Sequence, residues 1–194
     1  MILYLHGFRS SPQSFKARLI AQRMQSLGLG GEYCCPQLPA SPKEAIALAR
    51  NIAAQVGPER LSLVGSSLGG YYATCLAEEI GCRAVLLNPA VKPPRDLEKY
   101  VGVTTAFHSD EPFEFKREYI DELKALAVDR IARPERYFLI AATGDEVLDW
   151  REMVAHYPGA HHCVIEGSDH GISEFEQYLD QVLAFCGVSA GVAR

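Results

Sequence analysis

The sequence has no apolar run approaching the roughly 18 residues of a membrane span. It also has no Cys-x-x-Cys pair among its six cysteines, no low-complexity tract and no surplus of basic residues. Each absence closes off a class. Without a long apolar run, no membrane span is expected. The segment Met1-Ile2-Leu3-Tyr4-Leu5-His6-Gly7 carries neither a basic leader nor a small-residue cleavage site and begins as a strand, so the expected location is the cytoplasm. Thiols stay reduced there. Cys34, Cys35, Cys75, Cys82, Cys163 and Cys186 are therefore expected as buried thiols and not as disulfides. No zinc site is expected, because the nearest cluster, His161-His162-Cys163, lies on a strand whose neighbouring side chains point to opposite faces. The net charge of -5, with 19 Lys and Arg spread along the chain, argues against a nucleic-acid partner.

What is present is the composition of a globular chain, 48% hydrophobic and 22% charged, in 194 residues that suffice for one substantial core. One domain over 1–194 is expected, with an irregular insert or cap at about 90–118 and a frayed tail at 187–194.

Ile2 to His6 reads as a buried strand stopped by Gly7. A Ser cap and Pro12 open a helix that runs to about Leu27, and Glu32 to Cys35 forms a short strand. Ser41-Pro42-Lys43-Glu44 combines a capping serine, a proline at the first helical position and an acidic residue three on; its helix runs to Gly57-Pro58. Near-continuous apolar strands follow at Leu61–Val64, Arg83–Leu87, Arg136–Ala142 and His161–Ile165, alternating with helices that end in an amphipathic one at Glu174–Phe185. Strands that are apolar throughout and alternate with helices imply a three-layer, doubly wound, mostly parallel sheet covered on both faces. Ligands of such sheets bind beyond the carboxyl ends of the strands. Gly7, Ser67, Asn88, Gly144 and Gly167 all fall just past a strand end.

One of those ends carries a motif. Leu61-Ser62-Leu63-Val64-Gly65-Ser66-Ser67-Leu68-Gly69-Gly70 is an apolar run ending in Gly-x-Ser-x-Gly and leading into a helical pattern from Tyr71 to Glu79. A serine at such a strand-to-helix turn has its hydroxyl pushed out above the sheet edge, which makes Ser67 the candidate nucleophile. The motif alone also suits a phosphate-binding turn, so it needs partners elsewhere.

A serine hydroxyl requires a base, and histidine titrates in the right range. His6, His108, His156, His161 and His162 have ordinary structural readings. His170 lies in the loop Glu166-Gly167-Ser168-Asp169-His170-Gly171 between the last strand and the last helix, from which a side chain can reach over the sheet. Asp145, in the tight turn after the Arg136–Ala142 strand, is preferred as the orienting acid. Asp149 reads better as a helix N-cap, and Asp169 is adjacent to the base it would have to face. The chain order Ser67, Asp145, His170 is that of α/β hydrolases. For the oxyanion, the expected donors are the backbone N–H groups of Leu68, after the nucleophile, and Phe8, in the loop after the first strand.

These stretches, together with Leu3-Tyr4-Leu5-His6-Gly7-Phe8-Arg9-Ser10-Ser11-Pro12, Pro36-Gln37-Leu38-Pro39, Asn88-Pro89-Ala90-Val91 and Thr143-Gly144-Asp145-Glu146-Val147-Leu148-Asp149, resemble the YqiA-type bacterial esterases of the α/β-hydrolase superfamily over nearly the whole chain. The segment from Pro94 to Tyr119 departs from that pattern and leaves the pocket and substrate open. The resemblance implies a compact α/β-hydrolase fold and a small cytoplasmic serine esterase, active on carboxylic esters or acyl thioesters, with Ser67, Asp145 and His170 at the triad positions. No cofactor and no partner beyond a small acyl substrate is expected. The same residues serve an acyltransferase, and the fold also occurs as a non-catalytic binding module.

Overall fold

The structure is a computed structural model that describes residues 1–105 and 112–188. His108, positions 106–111 of the insert and positions 189–194 of the tail lie outside the described residues.

Six strands form one sheet: β1 (Ile2–Leu5), β2 (Tyr33–Cys34), β3 (Ser62–Ser66), β4 (Arg83–Leu87), β7 (Tyr137–Ala142) and β8 (His161–Ile165). Their order is β2-β1-β3-β4-β7-β8, and every pairing is parallel. Strand alternation divides the apolar residues between two faces. Leu3, Leu5, Leu63, Leu86 and Leu139 pack with α2 (Pro42–Ala53), α3 (Leu68–Ile80), α5 (Glu118–Ala125) and α6 (Trp150–His156). Ile2, Tyr4, Val64, Val85 and Ile140 pack on the other face with α1 (Phe15–Ser26) and α7 (Leu179–Phe185). Through β1, β3, β4 and β7 the sheet is therefore a middle layer covered on both sides, and these strands need no polar alternation, whereas the edge strand β8 leaves His161, His162 and Val164 exposed.

Local chemistry sets the start of α2 and the end of α3, and one expected helix start is displaced. Ser41 caps α2 by accepting the Glu44 N–H at 3.2 Å, with Pro42 at the first helical position. Gly81, at φ 81°, closes α3 in the left-handed conformation that glycine adopts without strain. The displaced start is that of α1, which begins at Phe15 and not at Pro12. Ser11 accepts the Gln13 N–H in a preceding turn, which uses the proline outside the helix. At their ends α2 stops at Ala53, short of Gly57-Pro58, and α7 is shorter than its periodic pattern, because Phe175–Tyr178 forms a 3-10 turn before it.

The described part of the insert carries regular elements that its composition does not signal. α4 (Pro93–Leu97) leads to an antiparallel hairpin of β5 (Gly102–Thr105) and β6 (Pro112–Phe115), which forms a small sheet of its own. Its aromatic residue Phe115 is fully buried against Phe8. All six cysteines are free, but only Cys82 is fully buried. The other five are half-buried.

Candidate active site

At the carboxyl edge of the sheet the chain leaves β3 through Ser67, whose backbone is left-handed at φ 55°, ψ -121°. A non-glycine residue in this region is strained, and here the surroundings impose it. The turn is tight enough that a β-carbon on Gly65 would overlap the Gly69 carbonyl, and one on Gly69 would overlap the Leu5 carbonyl. The two glycines of the motif thus let β3, α3 and β1 approach backbone to backbone. Ser67 N–H donates to the Leu87 carbonyl, and the Ser67 carbonyl accepts from Gly70 and Ala90, so the elbow is tied to the end of β4.

Ser67 Oγ lies 3.0 Å from His170 Nε2, and His170 Nδ1 lies 2.8 Å from Asp145 Oδ2. The Asp145 side chain is completely buried, while the imidazole is 21% exposed. Asp145 Oδ1 accepts the N–H groups of Val147 and Leu148, both at 2.8 Å, so the carboxylate is held from behind and its other oxygen faces the ring. An acceptor at Nδ1 makes that nitrogen the protonated one in neutral His170 and leaves Nε2 free to accept the serine proton.

The loops that carry Asp145 and His170 are zipped together. Gly144 N–H donates to the Gly167 carbonyl at 2.8 Å, Gly167 N–H donates to Thr143 Oγ1 at 2.8 Å, and His170 N–H donates to Glu146 Oε2 at 3.0 Å. The alternatives to Asp145 are occupied elsewhere. Asp149 caps α6 by accepting the Arg151 N–H at 2.9 Å, and the Asp169 carboxylate takes the Ser173 hydroxyl, which lowers its pKa. Of the other described histidines, His161 packs on Phe185, His162 Nε2 donates to the Tyr157 carbonyl and His156 sits against Tyr157.

Leu68 is the first residue of α3, where a backbone N–H has no intrahelical acceptor and the helix dipole is positive. Phe8 follows Gly7, whose α-carbon approaches so closely that a β-carbon there would stand 3.2 Å from Ser67 Cβ. A narrow cleft of about 20 Å³ opens beside this loop, lined by Phe8, Leu38, Leu68, Tyr72 and Phe113. Tyr72 contributes to its wall, whereas Tyr71 is tied into the core by donating to the Leu123 carbonyl at 2.7 Å.

The sequence model of the uncharacterised protein family UPF0227 matches residues 1–187. The chain belongs to UPF0227, the YqiA family. Solved structures extend the likeness to the fold. A protein of Agrobacterium vitis S4 superposes with a TM-score of 0.77 at 21% identity, over 95% of this chain and 87% of that one. Mouse alpha/beta hydrolase domain-containing protein 10 gives 0.70 at 16% identity, over 94% of this chain and 89% of that one. The esterase domain of a Rhodothermus marinus protein gives 0.67 at 21% identity, over 98% of this chain and 87% of that one. This member of UPF0227 therefore has the α/β-hydrolase fold.

Sequence reasoning passed over one residue beside the candidate site. His6 has an ordinary reading at a strand end, yet its ring is buried and bridges two loops. Nδ1 donates to the Gly7 carbonyl at 3.0 Å, and Nε2 accepts the Leu38 N–H at 3.0 Å. Burial lowers its pKa, in keeping with a neutral ring that must accept at Nε2. The His-Gly pair after a buried strand was the available signal.

Proposed function

We propose that the protein is a serine hydrolase that cleaves carboxylic esters or acyl thioesters through an acyl-enzyme on Ser67. The observation that carries this reading is the continuous line from Ser67 Oγ through the His170 ring to the buried Asp145 carboxylate, each step at hydrogen-bond distance. The esterase domain among the similar folds agrees with it.

In the proposed reaction Ser67 Oγ attacks the acyl carbon as His170 Nε2 takes its proton. The N–H groups of Leu68 and Phe8 hold the oxyanion of the tetrahedral intermediate, and one such donor is worth about 3 kcal/mol. Asp145 keeps Nδ1–H in place and stabilises the imidazolium that forms. His170 then passes its proton to the leaving alcohol or thiol as the carbonyl re-forms, which leaves the acyl group on Ser67. A water, deprotonated at the same nitrogen, attacks that ester, and the second tetrahedral intermediate collapses to release the acid as His170 returns the proton to Ser67 Oγ. The cleft at Tyr72 and Phe113 is the place for the acyl group, since it adjoins both proposed oxyanion donors.

Ser67→Ala is expected to lower p-nitrophenyl ester turnover by about 10⁴-fold or more with an unchanged melting temperature, and to abolish labelling by a fluorophosphonate. Wild-type protein that neither turns over any member of an acyl-ester and thioester panel nor takes up the label would overturn the reading. Product analysis with added alcohols or amines separates hydrolysis from acyl transfer.

A further inference from the structure

No strand or helix holds the peptide that carries His170. The loop passes through left-handed backbone at Gly167 (φ 73°), Ser168 (φ 61°) and Ile172 (φ 52°), two of which are not glycine. Such a path persists only where its surroundings determine it. Inside this stretch the carbonyls of Asp169, His170 and Gly171 follow one another, and all three accept from buried side chains that lie far away in sequence.

Asn88, directly after β4, is fully buried and uses its whole amide. Nδ2 donates to the Asp169 carbonyl at 3.0 Å and to the His170 carbonyl at 3.1 Å, while Oδ1 accepts the Ala142 N–H at 2.8 Å. Ala142 ends the strand that leads to Asp145, so one side chain joins the end of the acid strand to the base loop. Asn88 is itself left-handed at φ 41°, and its N–H donates to the Ile140 carbonyl at 2.9 Å. Lys16, in the first turn of α1, is only 8% exposed, and its Nζ donates to the Gly171 carbonyl at 2.5 Å. Burial pulls its pKa down to about 8, opposed by the carboxylates of Asp169 and Asp145, so it stays protonated at neutral pH. A buried cation is costly, and this one is held by its hydrogen bond to the Gly171 carbonyl in the loop that carries His170.

We propose that Asn88 and Lys16 are positioning residues for His170: between them they hold three successive carbonyls and so fix the imidazole between Ser67 and Asp145. The proposal rests on the reading of Ser67 as nucleophile only for its kinetic consequence. Its structural content, a ring held in one orientation and one tautomer, concerns His170 alone.

Three variants test it. Asn88→Asp keeps the volume and the acceptor for Ala142 but loses both donors. Lys16→Met keeps length and apolar bulk but loses the donor, and Lys16→Arg restores a donor. With a p-nitrophenyl ester, Asn88→Asp is expected to lower kcat by about 10²-fold. Lys16→Met is expected to lose about tenfold with KM changed by less than about threefold, and Lys16→Arg to recover most of that loss. In parallel, ¹⁵N spectra of the histidine rings read His170 independently of turnover. The wild-type ring is expected as a single Nδ1–H tautomer, and the rings of Asn88→Asp and Lys16→Met as averaged ones. Folded Asn88→Asp and Lys16→Met proteins that keep wild-type kcat, or that keep the wild-type His170 ring signals, overturn the proposal. If Asn88→Asp fails to fold, the Lys16 pair decides alone. If wild-type protein turns over no ester, the ring spectra still decide the positioning role while the catalytic reading falls separately.

Discussion

At the scale of single residues, the site is built by side chains that make backbone behave as regular structure does not. Ser67 and Asn88 are both left-handed without being glycine, and both stand just past the carboxyl ends of neighbouring strands. Their strain is held by bonds to adjacent chain: Ser67 N–H to Leu87, Asn88 N–H to Ile140. His6 gives this scale a pH signature. The unfolded chain takes up its proton near the ordinary value of 6.5, whereas burial lowers the folded value. Its contribution to stability is therefore complete above about pH 6.5 and is lost as the pH falls from there toward the folded pKa. His156 shifts in the same direction for the same reason and adds to the slope. His6→Asn is expected to flatten the fall of melting temperature between about pH 7 and pH 5. Identical slopes for wild type and variant would remove His6 from that account.

At the scale of elements, the parts that were legible and the parts that were not separate cleanly. Ser41 and Pro42 start α2, and the apolar runs become β3, β4, β7 and β8 within two residues of their sequence limits, because capping and burial act over a few neighbours. The insert was opaque for the opposite reason. Its hairpin β5–β6 has a mixed polar and aromatic pattern that makes sense only against Phe8, on which Tyr100, Phe113 and Phe115 converge with ring centroids 5.5, 5.2 and 5.1 Å away. Those contacts set one wall of the cleft beside the proposed oxyanion loop. Phe113→Ala widens that wall, and the preferred acyl length is expected to move toward longer chains, with kcat/KM for an octanoyl ester rising relative to an acetyl ester by about tenfold. An unchanged ratio across the chain-length series would place the acyl group elsewhere.

At the scale of the whole molecule, the sheet is the reference frame for everything above it. Two apolar layers, one on each face, hold six parallel strands so that five loop starts share one edge. Stability and site are separable in such a frame. Leu179 on α7 is 2% exposed and belongs to the layer with α1, away from the elbow helix. Leu179→Ala is expected to cost about 2–5 kcal/mol. That is a fall in melting temperature of roughly 5–15 °C in a chain of this size. Below its transition the variant is expected to keep the wild-type kcat, and a matching loss of kcat would show that the α7 layer reaches the site.

The sequence by itself determined whatever depends on neighbours along the chain. This covers the strand-turn-helix of the elbow, the need for glycine at positions 65 and 69, the helix starts at Ser41 and Asp149, and the alternation that makes a parallel sheet buried on both faces. It also singled out Ser67, Asp145 and His170, since loops after strands of one parallel sheet must open on one edge. Only the tertiary structure decided that residues 103 and 25 apart stand 3.0 and 2.8 Å from each other. It alone decided, too, that a lysine from the first helix and an asparagine after β4 share the carbonyls of the loop that carries His170. Hydrogen bonds of this kind leave no periodic trace. They depend on where separate strands place the ends of their loops, and that is a property of the packed sheet and not of any one segment.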